Sequence, residues 1–447
     1  MQRNRINKLN GLIALLLLGG TAVNAQTVNS MSVKQAADYA NKNAVAVKNA
    51  LLDVDIQKQT NREITAAAYP QINGSVSVND YLNIPTQLVP GEFAGQPPGT
   101  FLPIKFGTKF SATGGIDISQ LLFDGQVFVG LQARKTAIDF AAKNVEVTQE
   151  QIKGNIYKVY YQLVVGKKQL ESMDANIGRL EKLQHDVTEL FKNGFAERLE
   201  IDRATVALNN LKTEKVKIEN SLANGNSALK FLMGMPQKET LVLTDTLSDE
   251  DLKSNVLDAG PVNYNDRKQL QALDLARKLN EFNIKRYKLT YIPTVSAFAN
   301  YNKNAQRTKF DFFGDGRWYT TSLIGMRINI PIFDGFAKRS RIEKAKLELR
   351  KTTNTIDQVK QSIDNEVEQA RKNMTNALLT IDNQKRNIDL SEKVYRSSKL
   401  KFEQGLGSNA ELYNADADLR VAQNNYYSAL YDAINAKIDY LKAVGRL

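Results

Sequence analysis

The only histidine, His185, stands beside Asp186 in a stretch of evenly spaced apolar residues. A histidine-carboxylate pair relays protons or holds a metal only with a further ligand or nucleophile beside it. The chain has no second histidine and no cysteine to supply one, so a solvated helix residue is expected. Residues 405–410 (GLGSNA) fit a loose G-x-G-x-x-A dinucleotide pattern, but they follow a helical stretch where that chemistry needs a strand. Asp311, Gly314, Asp315 and Gly316 offer two carboxylates without the spacing of a calcium loop, and a turn is expected there. No P-loop occurs, and no convergent polar set remains. The sequence therefore assigns no catalytic residue, no metal and no cofactor, and predicts a chain that is not an enzyme.

Two other acids sit in a repeated context. Glu200 ends the run GFAERLE (194–200) and Glu411 ends GLGSNAE (405–411), each just after a Phe-x-x-Gly break at Phe191–Gly194 and Phe402–Gly405. Glycine suits a sharp reversal because it adopts positive φ without penalty. An acid in the first turn of the next helix is also favoured by the helix dipole, so chemistry and helix stability explain these glutamates equally. Phe195 and Leu406, apolar residues at an exposed turn, point to docking.

The elements that carry these turns are long. Ile138, Val145, Ile152, Val159, Gly166, Met173, Leu180 and Val187 recur every seven residues, with Ile156, Leu163, Leu170 and Ile177 on a second seam. Ile342, Leu349, Ile356 and Ile363, then Val367, Met374, Ile381, Ile388, Tyr395 and Phe402, repeat the pattern. Such spacing predicts left-handed coiled coils, with a helix over 128–192 roughly 95 Å long. Shorter helices over 197–232 and 408–444 would return from the turns, and helices over 31–66 and 266–290 would complete the packing.

Preceding each long helix is one segment used twice: GIDISQLLFDG (115–125) and GMRINIPIFDG (325–335). Ile324, Met326, Ile328, Ile330 and Ile332 alternate with polar residues, broken only by Leu323; Ile72, Val76, Val78, Phe110, Ala112, Ile116 and Ile118 do so less cleanly. Period-two alternation over roughly ten residues predicts tilted membrane strands. Two hairpins, 70–123 and 293–333, are expected, with proline- and glycine-rich outer loops and with Tyr81, Phe101, Phe106, Trp318 and Tyr319 as interfacial aromatics. The chain thus divides into a signal peptide (1–25), a first repeat (26–233), a linker that would form a small equatorial elaboration (234–265) and a second repeat (266–447). Each repeat runs helix, hairpin, long helix, helix.

Arg3, Arg5 and Lys8 before the apolar run 12–18, and Val23-Asn24-Ala25 after it, fit a cleavable leader. With no second apolar helix and no cysteine for lipid attachment, membrane attachment must come from strands. The net charge of +12, about +9 without the three leader cations, does not mark nucleic-acid binding, because Lys and Arg alternate with Asp and Glu along the helices. The basic cluster Lys338, Arg339, Arg341, Lys344 and Lys346 opens the second long helix, where it would meet lipid phosphates or line an interior.

In its duplicated order, and in the paired segments ending LLFDG (121–125) and IPIFDG (330–335) with their following turns, the mature chain resembles TolC-type outer-membrane efflux proteins. The resemblance implies a mixed α and β fold in which each of three subunits gives four strands to a twelve-stranded transmembrane barrel. The helices would form an antiparallel coiled-coil tunnel in the periplasm. It also implies an outer-membrane homotrimer in contact with lipid, a periplasmic adaptor and an inner-membrane pump, conducting small molecules passively. By the same resemblance the tip residues that meet the adaptor are Lys192, Asn193, Gly194, Phe195, Glu403, Gln404, Gly405 and Leu406. Its gate acids fall on Glu200 and Glu411, a further acidic position on Asn414, its tyrosine on Phe402 and its arginine on Gly407. A latch of the family's kind therefore cannot form from these residues. A type I protein-secretion duct shares the architecture, and a secreted coiled-coil structural or adhesive protein is the alternative of another class.

Overall fold

The computed structural model describes residues 28–246 and 263–447; the expected leader and the acidic run Asp249–Asp251 lie outside them. Two compact units are present. Of the described residues, the first comprises 28–49, 147–246, 263–266 and 363–447, the second 50–146 and 267–362, so each draws on both sequence repeats.

The second unit contains the sheet. Strands β2 (Gln71–Asp80), β5 (Phe110–Phe123), β7 (Thr294–Arg307) and β8 (Tyr319–Asn329) lie in the order β2-β5-β7-β8, all antiparallel. The two predicted hairpins are thus joined by β5 and β7, and β2 and β8 are left as edges. Register separates the faces: the row Ile72, Ile118, Ala299 and Ile324 is apolar, whereas the row Ser75, Gly115, Asn302 and Thr321 is polar. On the polar face Thr113 Oγ1 donates to Asn304 Oδ1 at 2.8 Å. Apart from Ala112 and Ala305, which Phe312 covers, the apolar face is largely bare, with Val76 81% and Ile324 83% exposed. Strand β8 ends at Asn329, so Ile330 and Ile332 fall beyond it, where Pro331 removes the donor that a longer ladder would need.

The loop from β2 to β5 is more ordered than its prolines suggest. It holds a second hairpin, β3 (Thr86–Pro90) with β4 (Phe101–Lys105). Two-stranded pairing leaves each strand an open edge, where proline is tolerated. The loop from β7 to β8 is held by Phe312, which meets Phe310 edge to face and Trp318 at a tilt, and Asp311 Oδ1 accepts from the Gly314 amide at 3.1 Å, the expected turn. Among the described residues no group of His, Cys, Asp and Glu is placed to hold a metal.

The first unit is helical, and its parts are α1 (Val33–Asn43), the start of α2 (Val45–Ala66), most of α3 (Gly125–Lys192), α4 (Arg198–Met233), the later part of α6 (Ala337–Glu403) and α7 (Asn409–Ala443). One helix was expected over 31–66; the chain instead breaks at Ala44, which is in extended backbone between α1 and α2. Helix α5 (Lys268–Lys288) belongs to the second unit. The heptads mark burial well: Met173, Leu180 and Val187 on α3 and Ile363, Met374 and Ile381 on α6 are all buried. Both long helices start at the duplicated aspartate, Asp124 accepting from the Gln126 amide and Asp334 from the Lys338 amide. No helix among the described residues is long and apolar enough to cross a membrane.

Between α4 and α5, residues Thr240–Leu243 form β6, which pairs in parallel with β1 (Val28–Met31). Tyr160, fully buried, donates its hydroxyl to the Met31 carbonyl at 2.8 Å and accepts the Thr244 and Asp245 amides, fastening this small sheet to α3.

Candidate functional site

The two turns of the helical unit have one backbone design. The Gly194 amide donates to Phe191 and the Phe195 amide to Leu190; the Gly405 amide donates to Phe402 and the Leu406 amide to Lys401. These are the paired bonds of a Schellman ending, and they place Gly194 at φ 80° and Gly405 at φ 73°. Phe195 and Leu406, next in the chain, are 81% and 78% exposed. Lys192 is held by Glu189 at 2.8 Å, and the Asn193 side chain donates to the Glu189 carbonyl. Glu403 lies 3.7 Å from Lys399, and Gln404 is exposed.

The structure brings part of the predicted gate together. Gly194, Phe195 and Glu200 from the first turn line one groove with Phe402, Ser408 and Asn409 from the second. Glu200 is the more enclosed acid: Oε1 accepts from Arg203 at 3.0 Å, and Oε2 is buried with no hydrogen bond. Its carbonyl accepts from the Tyr413 hydroxyl at 3.3 Å, a tie from α7 to α4. Burial first, then the nearby Glu200 carboxylate, pushes the Tyr413 hydroxyl up to about 12, so it remains a donor.

Glu411 is placed differently. It faces its own hairpin, with Oε1 3.3 Å from Lys401 Nζ and 3.5 Å from Ser398 Oγ, while its amide donates to the cap residue Ser408. Asn414 is exposed and stands outside the groove. Gly407 is a close-approach position: an added Cβ would lie 3.1 Å from Lys401 Cβ and 3.2 Å from the Phe402 nitrogen. An arginine there would have to shift the turn. His185 is exposed on α3, as expected of a solvated helix residue.

Sequence reasoning passed over the most buried charge of the unit. Asp416 on α7 is 2% exposed and lies between Arg420 of its own helix and Arg179 of α3. The signal was an acid on the apolar seam between Leu412 and Leu419. Burial pushes its carboxyl up despite both guanidinium groups.

One unit of long heptad helices ending in glycine turns and another with a four-stranded antiparallel sheet of one apolar and one polar face make up a mixed α and β fold. Residues 264–446 match the family described as outer membrane efflux protein. The outer membrane efflux protein BepC of Brucella suis is 23% identical over 443 residues, covering 97% of this chain and 90% of BepC. The alkaline protease secretion protein AprF of Pseudomonas aeruginosa is 18% identical over 341 residues, covering 74% and 68%. In fold the chain is similar to CusC, with a TM-score of 0.75 at 18% identity over 92% of each chain. Over residues 264–446 the chain is thus similar to the outer-membrane efflux (TolC-type) proteins, a family of non-enzymatic outer-membrane channels.

Proposed function

We propose that this chain is one subunit of a homotrimeric duct that passively conducts small molecules from a periplasmic adaptor and inner-membrane pump to the exterior. The observation that carries the reading is the sheet. Its apolar face is exposed, and β2 and β8 are unpaired edges. In lipid each unpaired backbone group costs several kcal/mol, so such a sheet must close with others. Three copies give twelve strands with the polar face inward.

The helical turns are the gate. Phe195 and Leu406 offer the adaptor apolar contacts, flanked by Lys192, Asn193, Glu403 and Gln404. Glu200 and Glu411 stand one turn further in and face the permeating ions when the helices part. Phe402 and Gly407 cannot supply a tyrosine-arginine latch, so closure relies on packing in the groove and on the Tyr413 tie. Small-molecule efflux is supported by the near full-length likeness to BepC, an efflux protein by name; the shorter likeness to AprF, a secretion protein by name, favours protein cargo as the second reading.

Planar-bilayer conductance of the detergent-purified protein tests this, comparing wild type with Glu200→Ala and Glu411→Ala in monovalent and divalent salts. Changed conductance or divalent block in the variants places the acids on the ion path. A folded trimer without channel activity contradicts the duct and favours the coiled-coil structural protein. Export of dyes or of a protease by cells expressing the chain with each class of pump separates the two cargo readings.

A further inference from the structure

The apolar face of the sheet continues past the end of β8. Its alternation runs from Ile324, Met326 and Ile328 into Ile330 and Ile332, the latter 94% exposed, and then to Phe333 and Phe336, which meet edge to face at 5.5 Å. Gly335 and Phe336 both hold positive φ, 64° and 65°, and Phe336 is the one residue other than glycine to do so among the described residues. A phenylalanine in left-handed backbone is strained. The turn thus presents an aromatic pair outward at a conformational cost.

Six cations lie on the two helix ends that meet here: Lys285, Arg286 and Lys288 at the end of α5, and Lys338, Arg339 and Arg341 at the start of α6. Lys338 Nζ stands over the Tyr291 ring at 5.4 Å, which joins the two ends. The side-chain hydrogen bonds of the cluster go to neutral partners. Lys285 donates to the Gln132 side chain at 2.8 Å and Arg286 to the Tyr287 hydroxyl at 3.2 Å, while Arg286 Nε is buried without a hydrogen bond. Glu343, further along α6, is taken by Lys346 at 2.7 Å. Helix dipoles account for only half of the cluster. Cations are favoured at a helix C-terminus, as in α5, but they oppose the dipole at an N-terminus, and the first turn of α6 holds no acid. An anion from outside the chain would offset Lys338, Arg339 and Arg341.

The duplication supplies an internal control. Aligning Pro70 with Pro293 and Gly125 with Gly335 sets the six cations against Arg62, Glu63, Thr65, Phe128, Val129 and Leu131. These stations carry +6 at the second junction and zero, one arginine against one glutamate, at the first. The capping aspartates Asp124 and Asp334 are common to both. Phe336 stands where the first junction has Gln126, so the outward aromatic and the cations occur together. Joining a strand to a long helix therefore does not require them.

We propose that the second sheet-to-helix junction is a binding site for anionic phospholipid of the inner leaflet. Phe333 and Phe336 lie among the acyl chains, and the cations of α5 and α6 hold the headgroup phosphate. An aqueous interior would leave Ile332 and the aromatic pair in water, whereas the edge of the hydrocarbon accepts both them and the cations beside them. A headgroup with net negative charge is preferred, because the amine of a zwitterionic headgroup competes for its own phosphate. This inference rests on the outer-membrane duct reading given above.

The test is native mass spectrometry of the full-length trimer in detergent, titrated with phosphatidylglycerol or phosphatidylethanolamine of matched acyl chains. Wild type is expected to bind phosphatidylglycerol about tenfold more tightly. Lys338→Gln with Arg339→Gln and Arg341→Gln should bring the ratio close to one. Lys34→Gln with Lys48→Gln and Lys217→Gln, which removes as many exposed cations from the helical unit, should leave it unchanged. Phe336→Asn, a residue that accepts left-handed backbone, should weaken both lipids alike and keep the ratio. Wild type and Phe336→Asn decide the outcome where the triple junction variant does not fold. Equal binding of the two lipids by wild type, loss of the preference in the helical-unit variant as well, or displacement of the lipid by excess inorganic phosphate overturns the proposal. So does a folded junction variant that no longer forms trimers, which would make the cations contacts between copies. A monomeric wild type with intact helix and strand content removes the duct reading, and this site with it.

Discussion

The two helical hairpins share a backbone and differ in chemistry one turn further along. Both reverse through a glycine with φ near +75° and the same pair of amide bonds, and both then bury an alanine and a leucine at matching stations, Ala204 and Leu208 in one, Ala415 and Leu419 in the other. The caps already diverge. Ser408 accepts from the Glu411 amide, whereas Glu197 caps α4 with no side-chain bond. At the next station the first hairpin has Thr205 and the second Asp416. Duplication preserved what the reversal requires, namely glycine and small apolar packing, and left the polar positions free to differ. At this station the first hairpin is held by a neutral hydrogen bond and the second carries a buried charge.

Substitutions at matched positions can break or sharpen this contrast. The largest effect is expected where the hairpins are alike. Gly194→Val and Gly405→Val each force a β-branched residue into left-handed backbone and should destabilise the helical unit by about 2 kcal/mol or more, nearly equally. Denaturant unfolding followed by circular dichroism would show this; a marked inequality would mean that the two turns do not bear the same conformational constraint.

Asp416 should set a pH dependence that Thr205 does not share. Burial raises its pKa in the folded protein above the unfolded value, so the folded chain holds the proton more readily. Its ionisation penalty is absent below the unfolded pKa, grows as pH rises through the folded pKa, and is constant above. Relative to Asp416→Asn, wild type should therefore lose stability as pH rises from acid to neutral, while Thr205→Val should track wild type at every pH. Unfolding midpoints across that range check both; parallel wild-type and Asp416→Asn curves would contradict the burial argument.

The cap contrast is smaller. Ser408→Ala should cost about 1 kcal/mol, whereas Glu197→Ala should change little, since only Ser408 satisfies an amide at its helix start. Smallest is Lys401→Ala. The Lys401–Glu411 pair is solvent-exposed on both sides, and its loss should be within about 0.5 kcal/mol and vanish in high salt.

Much of this was legible in the amino-acid sequence because it repeats locally. Seven-residue spacing marked Leu180, Val187, Ile363 and Ile381 as buried, and alternation marked Ile116, Ile118, Ile324 and Met326 as one face of a sheet. The glycines of the turns were legible for the same reason. What escaped depends on distant partners or on subtle local geometry. The parallel pairing of Val28–Met31 with Thr240–Leu243 joins short segments far apart in the chain, and neither has a pattern of its own. The break at Ala44 has no proline or glycine to announce it. Proline hid the β3–β4 hairpin. Of the site, both turns and both glutamates could be read, but not that Glu200 would be enclosed while Glu411 pairs with Lys401, nor that Arg179 would reach Asp416. An ion cluster built across helices leaves no spacing to recognise.

The two open edges of the sheet and its largely bare apolar face call for further strands in lipid. Native mass spectrometry of the detergent-extracted protein tests it most directly. Three chains per particle are predicted, since only shared strands can close those edges in lipid. A monomer that retains its helix and strand content would contradict the shared barrel and the duct built on it.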